Sequence, residues 1–230
     1  MPLNHMIVRT DRHSIARATA SWLLLVAGNV GAQATPQQRP LASNSTVMVV
    51  TENPALRLLD KANGKALTDI NFWRVSWSPV GPGSVCFITV RDTPGMNMRV
   101  AITDNEALTA YIVNDLMGPI GGYLSNPPYA VHRGTIVQHA SAAERTETCT
   151  SAEHAVMIRW KDLATPTYVS GFRPPGTTDI VQTFVMVIAR GAEVTVNGKA
   201  APGAWFPTGG GFGPGAFLAL NETWHREVAR

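Results

Sequence analysis

The sequence predicts a mainly β fold, a β-rich α+β architecture in which a curved antiparallel sheet, sandwich-like or barrel-like, carries one principal amphipathic helix packed on it. Short runs rich in β-branched and aromatic residues recur between Gly, Pro, Asn and Asp clusters, which is typical of strands joined by turns. Helical spacing of apolar residues, together with a strong capping signal, is clearest in one segment. Several strand-like runs are apolar on both faces, which indicates a sheet that is covered on both sides.

The predicted strands follow one another with short gaps, which favours antiparallel hairpins over crossover connections. The runs 180–190 and 85–91 are apolar at both odd and even positions. Asn197 and Gly198 predict a hairpin, because a type I′ turn needs positive φ at both central residues. A closed barrel of the ligand-carrying type is the alternative architecture. Strands are predicted over 46–51, 72–77, 85–92, 98–103, 135–141, 145–150, 154–161, 167–171, 180–190, 193–196 and 217–224.

The principal helix is predicted over 104–117. Thr103 and Glu106 have the spacing of a capping box, and apolar residues then recur at helical intervals up to Leu116. A shorter helix is predicted over 53–63, because Asn53 is a good cap and a proline follows it at the first helical position.

The N-terminus predicts an export signal. Three arginines precede a short apolar run, and Ala32 to Ala34 supply a small-x-small cleavage pattern. The run is far shorter than the about 20 apolar residues of a membrane-spanning helix, so no membrane span is predicted. The predicted organisation is a signal peptide at 1–34, a flexible leader at 35–45 and a single β-rich domain at 46–228, in a periplasmic or secreted protein.

Composition and charge exclude two classes of protein. Apolar residues make up 45% of the chain and charged residues 15%, which excludes an intrinsically disordered protein. The formal net charge is +3, and loss of three arginines and one aspartate with the signal would bring it to about +1. No clustered basic footprint is visible, so nucleic acid is excluded as a partner.

Two cysteines, Cys86 and Cys149, follow the signal. An even number of cysteines in an exported chain predicts a disulfide. The bridge would close a loop of about 60 residues and stabilise the fold by roughly 3–4 kcal/mol in the chain-entropy model. A reactive thiol is the alternative interpretation.

The absence of known catalytic motifs narrows the range of enzyme classes that the sequence allows. The sequence contains no nucleophile elbow, Walker loop or HExxH zinc helix. The Gly-rich stretch 209–215 precedes a strand-like run rather than a helix, which argues against a dinucleotide fingerprint. No cofactor is therefore predicted.

Histidines are the leading candidates for chemistry. His132 is predicted in a proline-stiffened loop, 126–133, and loops on a rigid scaffold often carry function. His154 is predicted to face Cys149 across a hairpin and to point into an apolar interior. Wide spacing gives these histidines no metal signature, although ligands from separate strands can converge, and metal content stays open. The histidines after the signal are His132, His139, His154 and His225.

These features lead to the hypothesis of an exported enzyme that acts on a small apolar or aromatic molecule by acid–base chemistry, without a nucleotide cofactor. A lyase, isomerase or hydrolase would fit. His132 or His154 would be the base, and Arg173 would orient an anionic substrate. The predicted substrate contacts are Tyr129, Trp205 and Phe206.

The alternative is a secreted β-barrel or sandwich binding module for a hydrophobic ligand or a partner protein, without catalysis. For the aromatic residues, the competing interpretation is that Trp205 and Phe206 plug one end of the sheet. For Arg173 it is a local ion pair with an acid such as Asp179.

Overall fold

The structure is a computed structural model that describes residues 45–120, 124, 128–174, 177–209 and 213–227. The predicted signal peptide and residues 35–44 of the predicted leader lie outside these ranges. The described part is mainly β. Its elements are β1 Thr46–Glu52, β2 Ala55–Leu59, β3 Ala66–Trp77, β4 Gly83–Val90, β5 Met98–Thr103, α1 Glu106–Tyr111 with a π-helical turn Ile112–Leu116, β6 Ala130–Ala140, β7 Glu144–Ser151, β8 Ala155–Leu163, β9 Thr167–Phe172, β10 Ile180–Val196, β11 Lys199–Ala200 and β12 Ala216–Arg226.

Nine of the described strands close into a ring, which confirms the predicted mainly β, barrel-like fold with one helix packed on it. The order around the ring is β12, β2, β3, β4, β5, β6, β7, β8 and β10, and β10 pairs back to β12. Strand β1 occupies the place between β12 and β3 beyond the end of β2. Strand β9 pairs with the first part of β10, and β11 pairs with its last residues.

Apolar side chains pack on both faces of this sheet, as the sequence predicts. Strand β4 shows the division, because Cys86 and Ile88 join the core inside the ring while Val85 and Phe87 join a second core outside it. The largest side chains of the inner core, Trp160 and Phe72, are fully buried. The ring is therefore filled by its own side chains, which does not support the ligand-carrying barrel.

Helix α1 closes the outer core and makes the crossover between two parallel strands. Its cap is Asn105, whose side chain accepts a hydrogen bond from the Leu108 backbone N–H at 3.1 Å. The predicted cap, Thr103, instead ends β5 and donates to the Ser84 carbonyl at 2.8 Å. Strands β5 and β6 pair in parallel, so they need a long connection, and the helix supplies it. All other strand pairs of the described sheet are antiparallel.

The helix predicted over 53–63 is wrong, because this segment forms β2. Leu56 and Leu58 alternate with Arg57, so the apolar positions suit one face of a strand as well as they suit a helix. Pairing with β3 and β12 satisfies the backbone of the segment, and tertiary contacts override the local cap signal. Asn53 is not a cap, since its side chain accepts a hydrogen bond from Asn71.

One end of the ring is closed by the segment that follows the β10–β11 hairpin. Asn197 and Gly198 form this turn with φ values of 50° and 77°, in agreement with the predicted hairpin. The chain then hydrogen-bonds along that end: Ala201 N–H to the Val194 carbonyl at 2.9 Å, Thr68 hydroxyl to the Pro202 carbonyl at 2.8 Å, and Ala204 N–H to the Leu59 carbonyl at 2.9 Å. This closure leaves the turn beside it, between β7 and β8, at the rim.

Candidate functional site

The two predicted catalytic histidines meet at the rim of the ring. His132 lies in β6 beside Ile102 of β5, and His154 immediately precedes β8. Their rings are perpendicular, with centroids 5.1 Å apart and an interplanar angle of 88°. His132 belongs to a strand rather than to the predicted loop, because parallel pairing with β5 extends β6 back to Ala130.

Glu153 is the third member of this cluster, which we call the rim site. Its Oε2 lies 3.9 Å from Nδ1 of His132 and 3.9 Å from Nε2 of His154. One potential ligand atom from each of the three side chains lies within 4.8 Å of the other two. The histidine side chains are one-fifth exposed (21% each) and that of Glu153 is 68% exposed, so the site opens toward solvent through the carboxylate.

A tight hairpin turn places Glu153 and His154. Ser151 N–H donates to the His154 carbonyl at 2.8 Å, and the Ser151 hydroxyl accepts from the N–H groups of His154 at 3.1 Å and Glu153 at 3.4 Å. A serine that bonds the backbone two and three residues onward is a common way to hold such a turn. As a result, the carboxylate of Glu153 and the imidazole of the next residue, His154, lie close to each other at the rim.

Asn197 of the β10–β11 hairpin holds this turn in place through hydrogen bonds. The Asn197 side-chain oxygen accepts from Ala155 N–H at 2.8 Å, and Asn197 N–H donates to the Ala155 carbonyl at 2.7 Å. The same side chain donates to the Glu153 carbonyl at 3.5 Å. Two turns therefore hold each other in place, with the rim site on one of them.

Glycine at position 134 allows β6 to approach β7 closely. A side chain there would collide with the Thr150 carbonyl and with Ile102. Gly134 pairs with Ser151, the first residue of the turn network. The close approach therefore brings His132, two residues earlier, next to the turn.

The predicted hairpin register is wrong, but its consequence for His154 holds in part. Cys149 pairs with Val156 instead of His154, because the turn is centred on residues 152 and 153. A slip of two residues leaves a side chain on the same face, whereas a slip of one reverses it. His154 accordingly shares the face of buried Val156, but it sits half-buried at the rim rather than in the interior.

The other predicted site residues are not brought to the histidines. Arg173 binds the Thr178 carbonyl at 2.8 Å and Glu227 at 2.7 Å, near the start of β10, whereas His154 lies near the opposite end of that strand. The predicted partner of Arg173, Asp179, pairs with Arg226 instead. Arg173 therefore does not join the two histidines.

The predicted aromatic contacts also have other partners. Tyr129 packs edge-on against Phe87 at 5.0 Å in the outer core, with the Arg99 guanidinium 3.8 Å from its ring centroid. Trp205 packs against the inner core, and Phe206 is half-buried with its carbonyl against Gly215. This arrangement matches the interpretation that these two aromatics plug the end of the sheet.

Cys86 and Cys149 are neighbours in the inner core, where the structure holds them as two unbonded thiols. Burial, the hydrogen bond to Cys149 and nearby Glu147 raise the pKa of Cys86. The predicted disulfide is therefore not present in the structure, although the two side chains meet. A buried thiol with a raised pKa, such as Cys86, is a poor nucleophile, and Cys149 is also buried, which does not support the reactive-thiol interpretation.

Sequence reasoning missed a chain of four charged groups, which we call the buried ion chain. Glu147 accepts from Arg145 at 2.7 Å and from Arg74 at 2.8 Å, and Arg145 reaches Glu52 at 2.7 Å. The Glu147 side chain is fully buried, and burial raises its pKa against the opposing pull of the two guanidinium groups. Positive and negative members alternate, so these charges neutralise one another.

Glu222 is a second buried carboxyl that the sequence did not reveal. Burial raises its pKa to about 8, partly offset by the nearby Trp224 side chain. It lies in β12 opposite Thr51 of β1 and is 5% exposed.

Glu153 was missed because its role depends on the turn. The only sequence signal was its position beside His154, between two predicted strands. Several carboxylates lie next to a histidine or a turn, so this position did not single out Glu153. Only the pairing of β6 with β7 shows that His132 reaches the same point.

The fold and the site together define a closed, mainly antiparallel β ring with a rim cluster of two imidazoles and a carboxylate. Among the residues described, no helix is long and apolar enough to span a membrane.

Comparisons with known proteins add little to this definition. No protein-family model and no curated protein matches the chain. The chain is similar to the crystal structure of acetoacetate decarboxylase from Legionella pneumophila, with 10% identity, a TM-score of 0.40, and coverage of 89% of this chain and 95% of that one. A second acetoacetate decarboxylase structure aligns with 10% identity, a TM-score of 0.37, and coverage of 86% and 93%. Likeness at this level assigns no substrate and no residue role to this chain.

Proposed function

We propose that this protein is an exported enzyme that acts on a small apolar or aromatic molecule by acid–base chemistry at the rim site, without a nucleotide cofactor. The observation that carries the proposal is the convergence of His132, His154 and Glu153, residues from two separate parts of the sheet, on one point. Two of the three were candidates from sequence alone.

The chemistry of these groups suits proton transfer. Histidine is the side chain that most readily changes its charge near neutral pH, and a neutral imidazole has one nitrogen that accepts a proton and one that donates. The Glu153 carboxylate, within 3.9 Å of both rings, can orient them and stabilise an imidazolium once it forms. A ring that takes a proton from the substrate becomes an imidazolium, which can return that proton to another atom of the substrate.

The surroundings favour an apolar substrate. His132 pairs with buried Ile102, and His154 shares its face with buried Val156, so apolar residues lie beside the site. Because Arg173 binds Glu227 elsewhere, it is not available to hold a substrate anion. A neutral aromatic or apolar molecule with one proton to lose suits this site better than a dianion.

Turnover on a panel of small aromatic and apolar carbonyl compounds, acids and esters tests the proposal. His132→Ala and His154→Ala should each lower turnover by ~10²–10⁴-fold, the usual contribution of a positioned general acid or base. Their melting temperatures should stay near that of the wild type, because both rings lie at the rim. His139→Ala is the matched control, since His139 is an exposed histidine on the same strand as His132.

Turnover that survives both substitutions would contradict the assignment. Loss of turnover only in proportion to loss of folded protein would contradict it equally, because a structural histidine behaves in that way.

Export rests on the N-terminal sequence, and the disulfide follows from export. Protein recovered from the cell envelope should begin at or near Thr35, and its intact mass without reductant should lie about 2 Da below the reduced form, as one bridge requires. Cys86 and Cys149 already meet in the inner core, so oxidation needs little rearrangement. A stable full-length precursor in the cytoplasm would contradict export, and two alkylatable thiols in the denatured, unreduced protein would contradict the bridge.

One observation favours the alternative, a module that binds a hydrophobic partner without catalysis. Strand β9 exposes Tyr168 (60%) and Phe172 (43%), and Ile188 of β10 is 40% exposed. If no substrate is turned over, but an apolar ligand or a partner raises the melting temperature and Tyr168→Ser abolishes the shift, the binding module replaces the enzyme.

A further inference from the structure

We propose that His132, Glu153 and His154 bind one divalent transition-metal ion, with zinc as the best-matched class, through Nδ1, Oε2 and Nε2 respectively. The inference rests on the proposed function only in that both use the same three side chains. It adds a cofactor to that site, which the sequence did not predict.

The distances are those of a site that needs a small contraction to close. Zinc–ligand bonds of about 2.1 Å in a tetrahedron place the ligand atoms about 3.4 Å apart. The observed separations from Glu153 Oε2 are 3.9 Å to each histidine nitrogen. Glu153 can move toward the rings because its side chain is 68% exposed on a turn, and the two rings must also turn toward each other, since the three ligand atoms lie within 4.8 Å rather than about 3.4 Å of one another.

The donor set selects the kind of ion. Two imidazole nitrogens with one carboxylate oxygen suit zinc, cobalt or iron(II), whereas calcium and magnesium prefer all-oxygen sites. Three protein ligands leave a coordination position open, as in catalytic rather than structural zinc sites. A water at that position would serve as the proton acceptor in place of an imidazole, and the overall chemistry would stay acid–base.

Local charge also favours a cation. Among the described residues, Glu153 makes ion-pair contacts with the two histidines but with no Lys or Arg. Two imidazole rings and one carboxylate therefore face one another with no Lys or Arg paired to the carboxylate among the described residues. A metal ion would supply a positive charge here, in contrast with the buried ion chain, where guanidinium groups already provide it.

The turn network fits the demands of a metal site. Ser151 and Asn197 bond the backbone of the ligand-bearing turn, so two ligands arrive on a segment that is fixed before the ion binds. A site held in this way loses less conformational entropy on binding than one built from free side chains.

Titration of the chelator-treated protein with zinc chloride, followed by calorimetry, tests the proposal, and cobalt(II) absorption reports the geometry. We expect one ion per chain, and an intense visible cobalt band of the kind tetrahedral sites give. His132→Gln, His154→Gln and Glu153→Gln should each weaken zinc binding by about 100-fold or more, because each removes one of three ligands and even the loss of an outer-shell partner costs roughly 10–100-fold. His139→Gln should leave binding unchanged.

Melting curves measured without metal show whether each variant is folded. Glu153→Gln is the variant least expected to disturb folding, because the Glu153 side chain is exposed. Absence of stoichiometric binding would overturn the inference, as would binding that the three substitutions do not affect or that His139→Gln weakens equally.

The two proposals fail in different ways. Zinc binding that depends on the three residues, in a protein that turns over no tested substrate, would support the metal site and leave the enzyme unsupported. Turnover that needs His132 but survives chelation, in a protein that binds no zinc, would support the enzyme and overturn the metal site.

Discussion

Strand β7 has a different kind of polar cluster at each end, and the contrast separates charges that build the fold from groups that are available for chemistry. Near its start, Arg145 and Glu147 are buried, and each is neutralised by opposite charges. Past its end, Glu153 and His154 meet His132 with no Lys or Arg among the described ion pairs of the carboxylate. Side chains whose charges are neutralised by buried partners, as in the ion chain, indicate a structural role. Potential ligand groups without such partners, as at the rim site, indicate a binding site.

The largest expected effect comes from breaking the buried ion chain. Glu147→Gln leaves two guanidinium groups without their shared carboxylate and should lower the free energy of unfolding by about 3–5 kcal/mol. Urea unfolding measures this loss. Glu193→Gln is the control, since Glu193 is half-exposed with Lys161 and Arg159 beside it, and should cost under about 1 kcal/mol. Equal losses in the two variants would remove the contrast between buried and exposed charges.

A somewhat smaller effect should appear in the pH dependence of stability. The folded protein holds the Glu222 proton up to about pH 8, whereas the unfolded chain releases it near the ordinary value of 4.5. Unfolding therefore releases a proton between these values, so the contribution of Glu222 is full below about pH 4.5 and is lost as pH rises through 8. Between pH 5 and pH 8 the loss should be about 3–4 kcal/mol.

Comparing wild type with Glu222→Gln isolates this contribution from other titrating groups, including His225, whose pKa burial lowers. The difference in unfolding free energy between the two proteins should change steeply with pH. A difference that stays constant from pH 5 to pH 8 would show that Glu222 is ionised in the folded state.

The smallest effect is expected at Arg173. Its pairing with Glu227 is partly exposed, so Arg173→Ala should cost under about 1 kcal/mol and leave zinc binding and turnover unchanged. A large loss of turnover would return Arg173 to the site from which its position at the other end of β10 excludes it.

Much of the fold could be predicted from the sequence because strand signals are local. The bounds of β5 match the prediction, and the apolar faces of β4 correctly indicate two cores. The failures are segments where tertiary pairing decides. Strand β2 has a helix-like start, and the parallel pairing of β5 with β6 depends on a crossover that short-gap reasoning does not anticipate.

The rim site was half predictable. His132 and His154 were selected as unusual residues near loops, but their meeting depends on the β6–β7 register, which Gly134 and the Ser151 turn determine. Arg173 has the same local signal as His132, a polar residue in a proline-containing stretch, yet it follows β9 and lies away from the rim site. Sequence indicates which residues are unusual, and long-range pairing decides which of them are neighbours.

The most direct test of the account is a crystal structure of the protein grown with zinc or cobalt(II), with diffraction measured at the absorption edge of the metal. The account predicts one anomalous peak about 2.0–2.2 Å from His132 Nδ1, His154 Nε2 and a Glu153 carboxylate oxygen. A peak elsewhere on the chain, or no peak at these atoms in metal-saturated crystals, would contradict it.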